Sequence, residues 1–138
     1  VQNDFTAIEQ KKETLEHRDY VQEMHVETAK DGYQFTFVIA DIAGYEGENS
    51  INQTLYHVQA ENLEMAAALY QRENERQLDF GHMKQIAADM TGQEIHPLLL
   101  ELWHRPGIPK SVPVMMESDG AKYILREMIK AAYGRESL

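Results

Sequence analysis

The sequence contains no cysteine. Disulfide bonds, thiolate metal sites and a cysteine nucleophile are therefore excluded. Long apolar runs are also absent, because no segment approaches the roughly 18 consecutive apolar residues that a membrane-spanning helix requires. We therefore expect a soluble protein that is cytoplasmic by default. Because the chain begins at Val1, a secreted form whose signal peptide has been removed fits the sequence as well.

Known catalytic motifs are lacking too. No serine lies in a G-x-S-x-G turn, which is the usual way to present a serine nucleophile. The six histidines show none of the short spacings typical of zinc ligands. The glycines of residues 43–50 have no basic neighbour, so this loop does not resemble a phosphate-binding loop. We expect no cofactor and no metal, and we favour a protein that is not an enzyme.

Positive charge is scarce, with 13 Lys and Arg against 23 Asp and Glu and a net charge of −10. This balance disfavours direct binding to nucleic acid and to anionic membranes, since both need Lys and Arg against phosphates. A protein partner of basic character is the more natural expectation. The acidity also allows mimicry of a DNA backbone, but the acidic residues are spread along the chain and interleaved with Lys and Arg, which is typical of a solvated surface.

The pattern that organises the chain is a strand at residues 33–42, where apolar side chains alternate with polar ones at the start. Residues 20–28 alternate in the same way, and the turn at residues 30–32 ends in the glycine that a tight hairpin prefers. These two segments are predicted to pair antiparallel. Residues 51–60 form a third strand-like run, so an antiparallel three-stranded meander is expected.

Helices are predicted on both sides of residue 105. Asn62 is a candidate N-cap for a helix with an apolar stripe at helical spacing, and residues 79–92 and 95–103 show similar stripes. For the last of these a buried strand stays open, because short apolar runs cannot be assigned from period alone. The prolines of residues 105–113 predict an extended connector, and residues 118–133 predict an amphipathic C-terminal helix.

The predicted fold class is therefore α+β. A three-stranded antiparallel meander packs against several helices, including the amphipathic C-terminal helix. At 138 residues the whole chain is expected to form one domain, with residues 1–19 as a frayed helix that leads into the first strand.

One candidate site combines histidine with carboxylate. His25 and His57 lie on two predicted strands of one sheet, and Asp41 ends the strand between them. If the two imidazoles converge with a carboxylate, the chemistry is that of a small hydrolase or metal-dependent phosphoesterase. The alternative is that both histidines are ordinary solvent-facing strand residues, and this is the commoner case.

A second candidate is a contact surface. Trp103, His104 and Arg105 follow a Leu-rich segment, and Trp and Arg are enriched at binding hot spots. Tyr45, in the glycine-containing loop, is a further candidate contact residue. The alternative is that Trp103 fills the core while its two neighbours face water.

From these observations the sequence predicts an acidic accessory or inhibitory module of bacterial or phage type that binds another protein. Two alternatives are a His/carboxylate hydrolase or phosphoesterase and an acidic DNA-mimic inhibitor. Self-association as a homodimer, through an uncovered sheet edge or the C-terminal helix, is a further expectation.

Overall fold

The computed structural model describes residues 18–41 and 52–134, and within them it contains seven strands and three helices. In chain order these elements are β1 (Arg18–Ala29), β2 (Gly32–Asp41), β3 (Asn52–Ala60), α1 (Leu63–Asn74), β4 (Gln77–Asp79), β5 (Gln85–Asp89), α2 (His96–His104), β6 (Pro113–Met116), β7 (Ala121–Ile124) and α3 (Leu125–Tyr133).

The strands form one mixed sheet in the order β3-β2-β1-β5-β6-β7, with the short β4 beside the start of β1. β1, β2 and β3 pair antiparallel, β1, β5 and β6 run parallel, and β7 returns antiparallel to β6. The β1–β2 turn requires glycine at position 32. A Cβ there would lie 2.4 Å from the Ala60 carbonyl oxygen, and the backbone φ is +155°.

The hydrophobic core lies on one face of this sheet. Phe35 and Phe37 of β2 and Ile86 of β5 are fully buried and belong to a single apolar cluster. The same cluster contains the buried side chains of all three helices, for example Leu125 and Ile129 of α3. Because alternate residues of a strand point to opposite faces, the helices all cover the same side of the sheet.

The predicted fold class is wrong. The three predicted strands are present and pair as expected, but they form only part of a seven-stranded mixed sheet with three short helices. The helix predicted for residues 79–92 does not form, since Asp79 ends β4 and residues 85–89 are β5. Ile86, Ala87 and Ala88 are buried consecutively, because Ala87, on the face opposite the core, is a small residue between His25 and Met115 of the neighbouring strands. Such a run lacks alternation, so apolar residues on either side of it match helical spacing by coincidence.

The C-terminal helix is shorter than predicted, because residues 121–124 form β7. Asp119, at the start of the predicted helix, instead closes the β6–β7 hairpin. Its Oδ1 accepts the Ala121 N–H at 2.9 Å and its Oδ2 accepts the Tyr123 hydroxyl at 2.8 Å. These two hydrogen bonds hold the pKa of Asp119 below its ordinary value. Gly120 takes the left-handed backbone that the turn needs, with φ +67°.

Two helix predictions are confirmed. The Asn62 side chain accepts the Met65 N–H at 2.8 Å and caps α1, and α2 is a helix rather than a buried strand, with Pro97 in its first turn. The Glu101 carboxylate of α2 also accepts the first N–H groups of α1, a second cap that the sequence does not reveal. The frayed helix predicted for residues 1–19 lies outside the described residues up to residue 17, and Arg18 and Asp19 belong to β1.

Candidate functional site

The candidate site is the face of the sheet opposite the core, which we call the open face. In the part of the chain that the structure describes, all three helices pack on the other side. The open face carries mainly polar side chains from β1, β2, β3, β5 and the end of β6. Its strand registers align Gln59, Gln34, Glu27 and Asp89 in one row and His57, Thr36, His25, Ala87 and Met115 in the next.

One end of the open face forms an acidic groove. His25, Glu27, Thr36, Asp89 and Glu117 are among the residues that line it, and its volume is about 200 Å³. Glu27 lies directly beside Asp89 in the parallel β1–β5 register. Glu117 is adjacent, because its N–H donates to the Ala88 carbonyl at 2.9 Å.

We call Glu27, Asp89 and Glu117 the acidic patch. Among residues 18–41 and 52–134, the three ion pairs join Arg18 to Asp79, Arg76 to Asp19 and Lys130 to Glu127, so the patch has no cationic partner there. Like charges on neighbouring strands destabilise a sheet. The three exposed carboxylates are therefore candidates for contact with a cationic group of a partner.

The two candidate histidines share the open face but do not converge. Thr36 lies between them in register, and its Oγ1 is 2.8 Å from His57 Nδ1. His25 and His57 lie two strands apart, so their backbones are separated by about 10 Å. Asp41 lies at the end of β2, five residues after Thr36, so the register places its backbone well away from both histidines. The described residues contain no group of three or more His, Asp or Glu able to hold a metal ion.

We therefore predict that Zn²⁺, Mn²⁺ and Ni²⁺ leave the melting temperature unchanged. Only binding to the native state stabilises a protein by mass action, and among the described residues no group of three or more His, Asp or Glu is placed to hold a metal ion. Differential scanning fluorimetry with increasing metal concentration checks this, with His25→Ala/His57→Ala as the control. A saturable rise in melting temperature that the control abolishes would restore the metal hypothesis.

The three predicted contact residues at the end of α2 have different surroundings. Trp103 is partly buried against the core, with Lys110 Nζ 5.8 Å from its ring centroid. The Arg105 guanidinium lies 5.4 Å from the Phe80 ring centroid, and His104 is exposed. Two of the three side chains thus make internal contacts, and they do not form one continuous surface. The fourth predicted residue, Tyr45, lies outside the described residues.

The groups with clearly raised pKa values lie away from the open face. Burial, and then the hydrogen bond from its hydroxyl to Glu73 at 2.6 Å, raises the pKa of Tyr56 to about 12. Burial and a hydrogen bond to Asp19 raise the pKa of Tyr70 in the same direction. Asp19 also pairs with Arg76 Nε at 2.5 Å. These contacts join α1 to β1 and β3, so their role is structural.

Sequence reasoning missed two surfaces. The acidic patch depends on β5 and β6 lying beside β1, and only the position of Asp89 and Glu117 after short apolar runs hints at it. An apolar groove of about 330 Å³ between α2 and α3 was missed as well, and its lining includes Ile95, Leu99 and Met128. Ala131 and Ala132 of α3 also line this groove, and no pattern in the sequence signals it.

The predicted cytoplasmic localisation is not confirmed. Within the described ranges, none of the helices has the length and apolar character needed to span a bilayer.

The model of the family described as the spore germination protein N-terminal domain matches residues 11–131, which is most of the 138-residue chain. No curated protein and no solved structure shows significant similarity. The predicted functions, namely an accessory or inhibitory module, a DNA mimic or a hydrolase, are therefore wrong, because charge and missing motifs restrict the chemistry of a protein but do not reveal its cellular process. The chain belongs to the family of spore germination protein N-terminal domains.

Proposed function

We propose that this chain is the N-terminal domain of a germinant-receptor subunit and that it acts in the spore by contacting other proteins of the receptor. The single observation that carries the proposal is the family match over residues 11–131. A receptor with several subunits requires protein partners, in agreement with the partner class expected from the sequence.

We further propose that the open face is the contact surface and that its partner is basic. The groove beside β5 combines three carboxylates with uncharged hydrogen-bonding groups such as Thr36 and Gln34. Carboxylates without a cation of their own can accept charge-assisted hydrogen bonds from Lys or Arg of a partner. The net charge of −10 favours the same partner through long-range attraction.

Deleting the gene in its spore-forming host tests the germination role. We expect mutant spores to form normally but to lose most of their response to at least one germinant, because a receptor without one subunit cannot complete its assembly. The loss of optical density of a spore suspension after germinant addition measures the response.

A wild-type copy at a second locus should restore germination, whereas a copy with Phe37→Asp, which places a charge in the core, should not. Spores of the deletion strain that respond like wild type to every germinant tested would contradict the proposed function.

A further inference from the structure

β3 is an edge strand without the usual protection. Within the described part of the chain, one side of β3 pairs with β2 over nine residues without a bulge, and no strand pairs with its other side. Its sequence, NQTLYHVQA, contains no charged residue and no proline. Leu55 is 58% exposed in the middle of the strand. Such an edge offers a row of free backbone donors and acceptors to another strand.

At the opposite edge of the sheet, β7 has features that usually prevent pairing with a strand of another molecule. β7 has only four residues, includes Lys122 and runs directly into α3. Short length and an exposed lysine are common devices that prevent strands of two molecules from pairing. β1, the longest strand, has neighbours on both of its sides. The lack of protection is therefore specific to β3 among the strands of the described residues.

We propose that β3 pairs antiparallel with β3 of a second copy of this chain, about a twofold axis at Tyr56. In this register Leu55 lies opposite His57 of the second copy, and Gln53 lies opposite Gln59. Directly opposite residues of an antiparallel pair share a face, so open-face residues meet open-face residues and the two cores stay on the same side. The sheets of the two molecules then become continuous.

The uncharged β3 strand fits a second copy of itself as the occupant. Two molecules of net charge −10 repel each other over most of their surfaces, and a neutral nine-residue strip lets them approach without placing like charges opposite each other. The pairing is also self-complementary, since every contact across a twofold axis occurs twice. The Gln53 and Gln59 side chains keep their hydrogen bonds within the molecule, from Gln53 Nε2 to Gln22 Oε1 at 2.6 Å and from Gln59 Nε2 to the Lys30 carbonyl at 2.9 Å, so the backbone groups of β3 make the new pairing.

Aromatic packing continues through the same axis. Phe37 stacks on Phe35 at 5.9 Å and on Tyr56 at 6.5 Å between ring centroids, so a row of rings runs outward to the edge of the sheet. Pairing about Tyr56 places the two tyrosines next to each other and extends this row into the second molecule. Aromatic pairs of this kind add to strand pairing. The inference does not depend on the proposed germination role.

Because the chain contains no cysteine, single introduced cysteines can test the β3–β3 pairing by cross-linking. Protein with Gln53→Cys is mixed with protein with Gln59→Cys and treated with a short bismaleimide cross-linker. We expect a covalent dimer from the mixture, because opposite Cβ atoms lie about 5 Å apart. Either variant alone should cross-link at least tenfold less, since residue 53 and its own copy would lie about 20 Å apart along the strands.

Analytical ultracentrifugation of the cysteine-free protein supplies the second measurement. A concentration-dependent dimer is expected, and Leu55→Lys should weaken it at least tenfold, as an edge lysine does. Leu100→Lys, which changes an exposed leucine of α2, is the matched control and should leave the dimer intact. Circular dichroism verifies that both variants fold. A monomer at all concentrations with no cross-linked product, equal cross-linking of the single variants, or a dimer that Leu55→Lys leaves unchanged would each overturn the proposal.

Discussion

Replacing Phe37 with alanine is expected to lower the free energy of unfolding by about 3–5 kcal/mol, the usual cost of truncating a buried aromatic side chain. Phe37 is 0% exposed and lies at the centre of the helix-covered face. Its ring contacts Phe35 and Tyr56 on the sheet, and it meets Phe80 edge-on at 5.8 Å between centroids. These neighbours belong to β2, β3 and the segment after β4. Moving one element therefore cannot fill the cavity that the truncation leaves.

Urea unfolding followed by circular dichroism measures this loss. Met65→Ala is the matched control, because Met65 of α1 is 48% exposed and lies outside the proposed dimer contact, so its truncation should cost less than about 1 kcal/mol. A loss below about 1 kcal/mol for Phe37→Ala would show that β2 does not present this ring to the core.

The parts of the fold that could be predicted are those with local signals. The β1–β2 hairpin is specified by alternation on both strands and by Gly32 at the turn, and α1 by its cap at Asn62. The contacts of β2 with β1 and β3 join neighbours in sequence. Short connections and agreeing local preferences make such elements readable from the sequence.

The parallel half of the sheet could not be predicted for a physical reason. β1 pairs with β5 across more than 50 residues, for example Met24 with Ile86. No turn motif in the sequence indicates such a distant pairing. Three consecutive buried residues hide the alternation of β5, so residues 85–89 resembled part of a helix. Asp119 shows a related ambiguity, because a carboxylate that can cap a helix can equally well close a hairpin.

The same limit applies to the site. Placing His25 and His57 in one sheet followed from the meander, and the strand pairing agrees, whereas their common face is seen only in the register. The acidic patch required the register of β5 and β6, which was not available from the sequence. The cellular process could not be predicted from physical chemistry at all, since a fold and its charge are compatible with many functions.

Neutralising the acidic patch should have the largest functional effect of the changes considered for the open face. The variant Glu27→Gln, Asp89→Asn, Glu117→Gln keeps the size of each side chain and removes three negative charges. We expect stability to be unchanged or to rise by less than about 1 kcal/mol, because neighbouring carboxylates repel each other. We expect germination to slow at least tenfold, because charge-assisted hydrogen bonds at a contact surface contribute about 1.5–3 kcal/mol each.

The control removes the same charge from the helical side of the molecule. Glu64, Glu75 and Glu127 are exposed residues of α1, its C-cap and α3, and changing all three to glutamine leaves the open face untouched. Because both variants change the net charge by three, a general electrostatic effect would slow them equally.

The most direct measurement is the germination rate of spores that carry each variant in place of the wild-type gene, with equal protein abundance verified by immunoblot. The account predicts that the acidic-patch variant loses most of its response to the germinant while the helical-side control responds like wild type. Wild-type germination of the acidic-patch variant at normal abundance, or equal slowing of both variants, would contradict the role of the open face as the receptor contact.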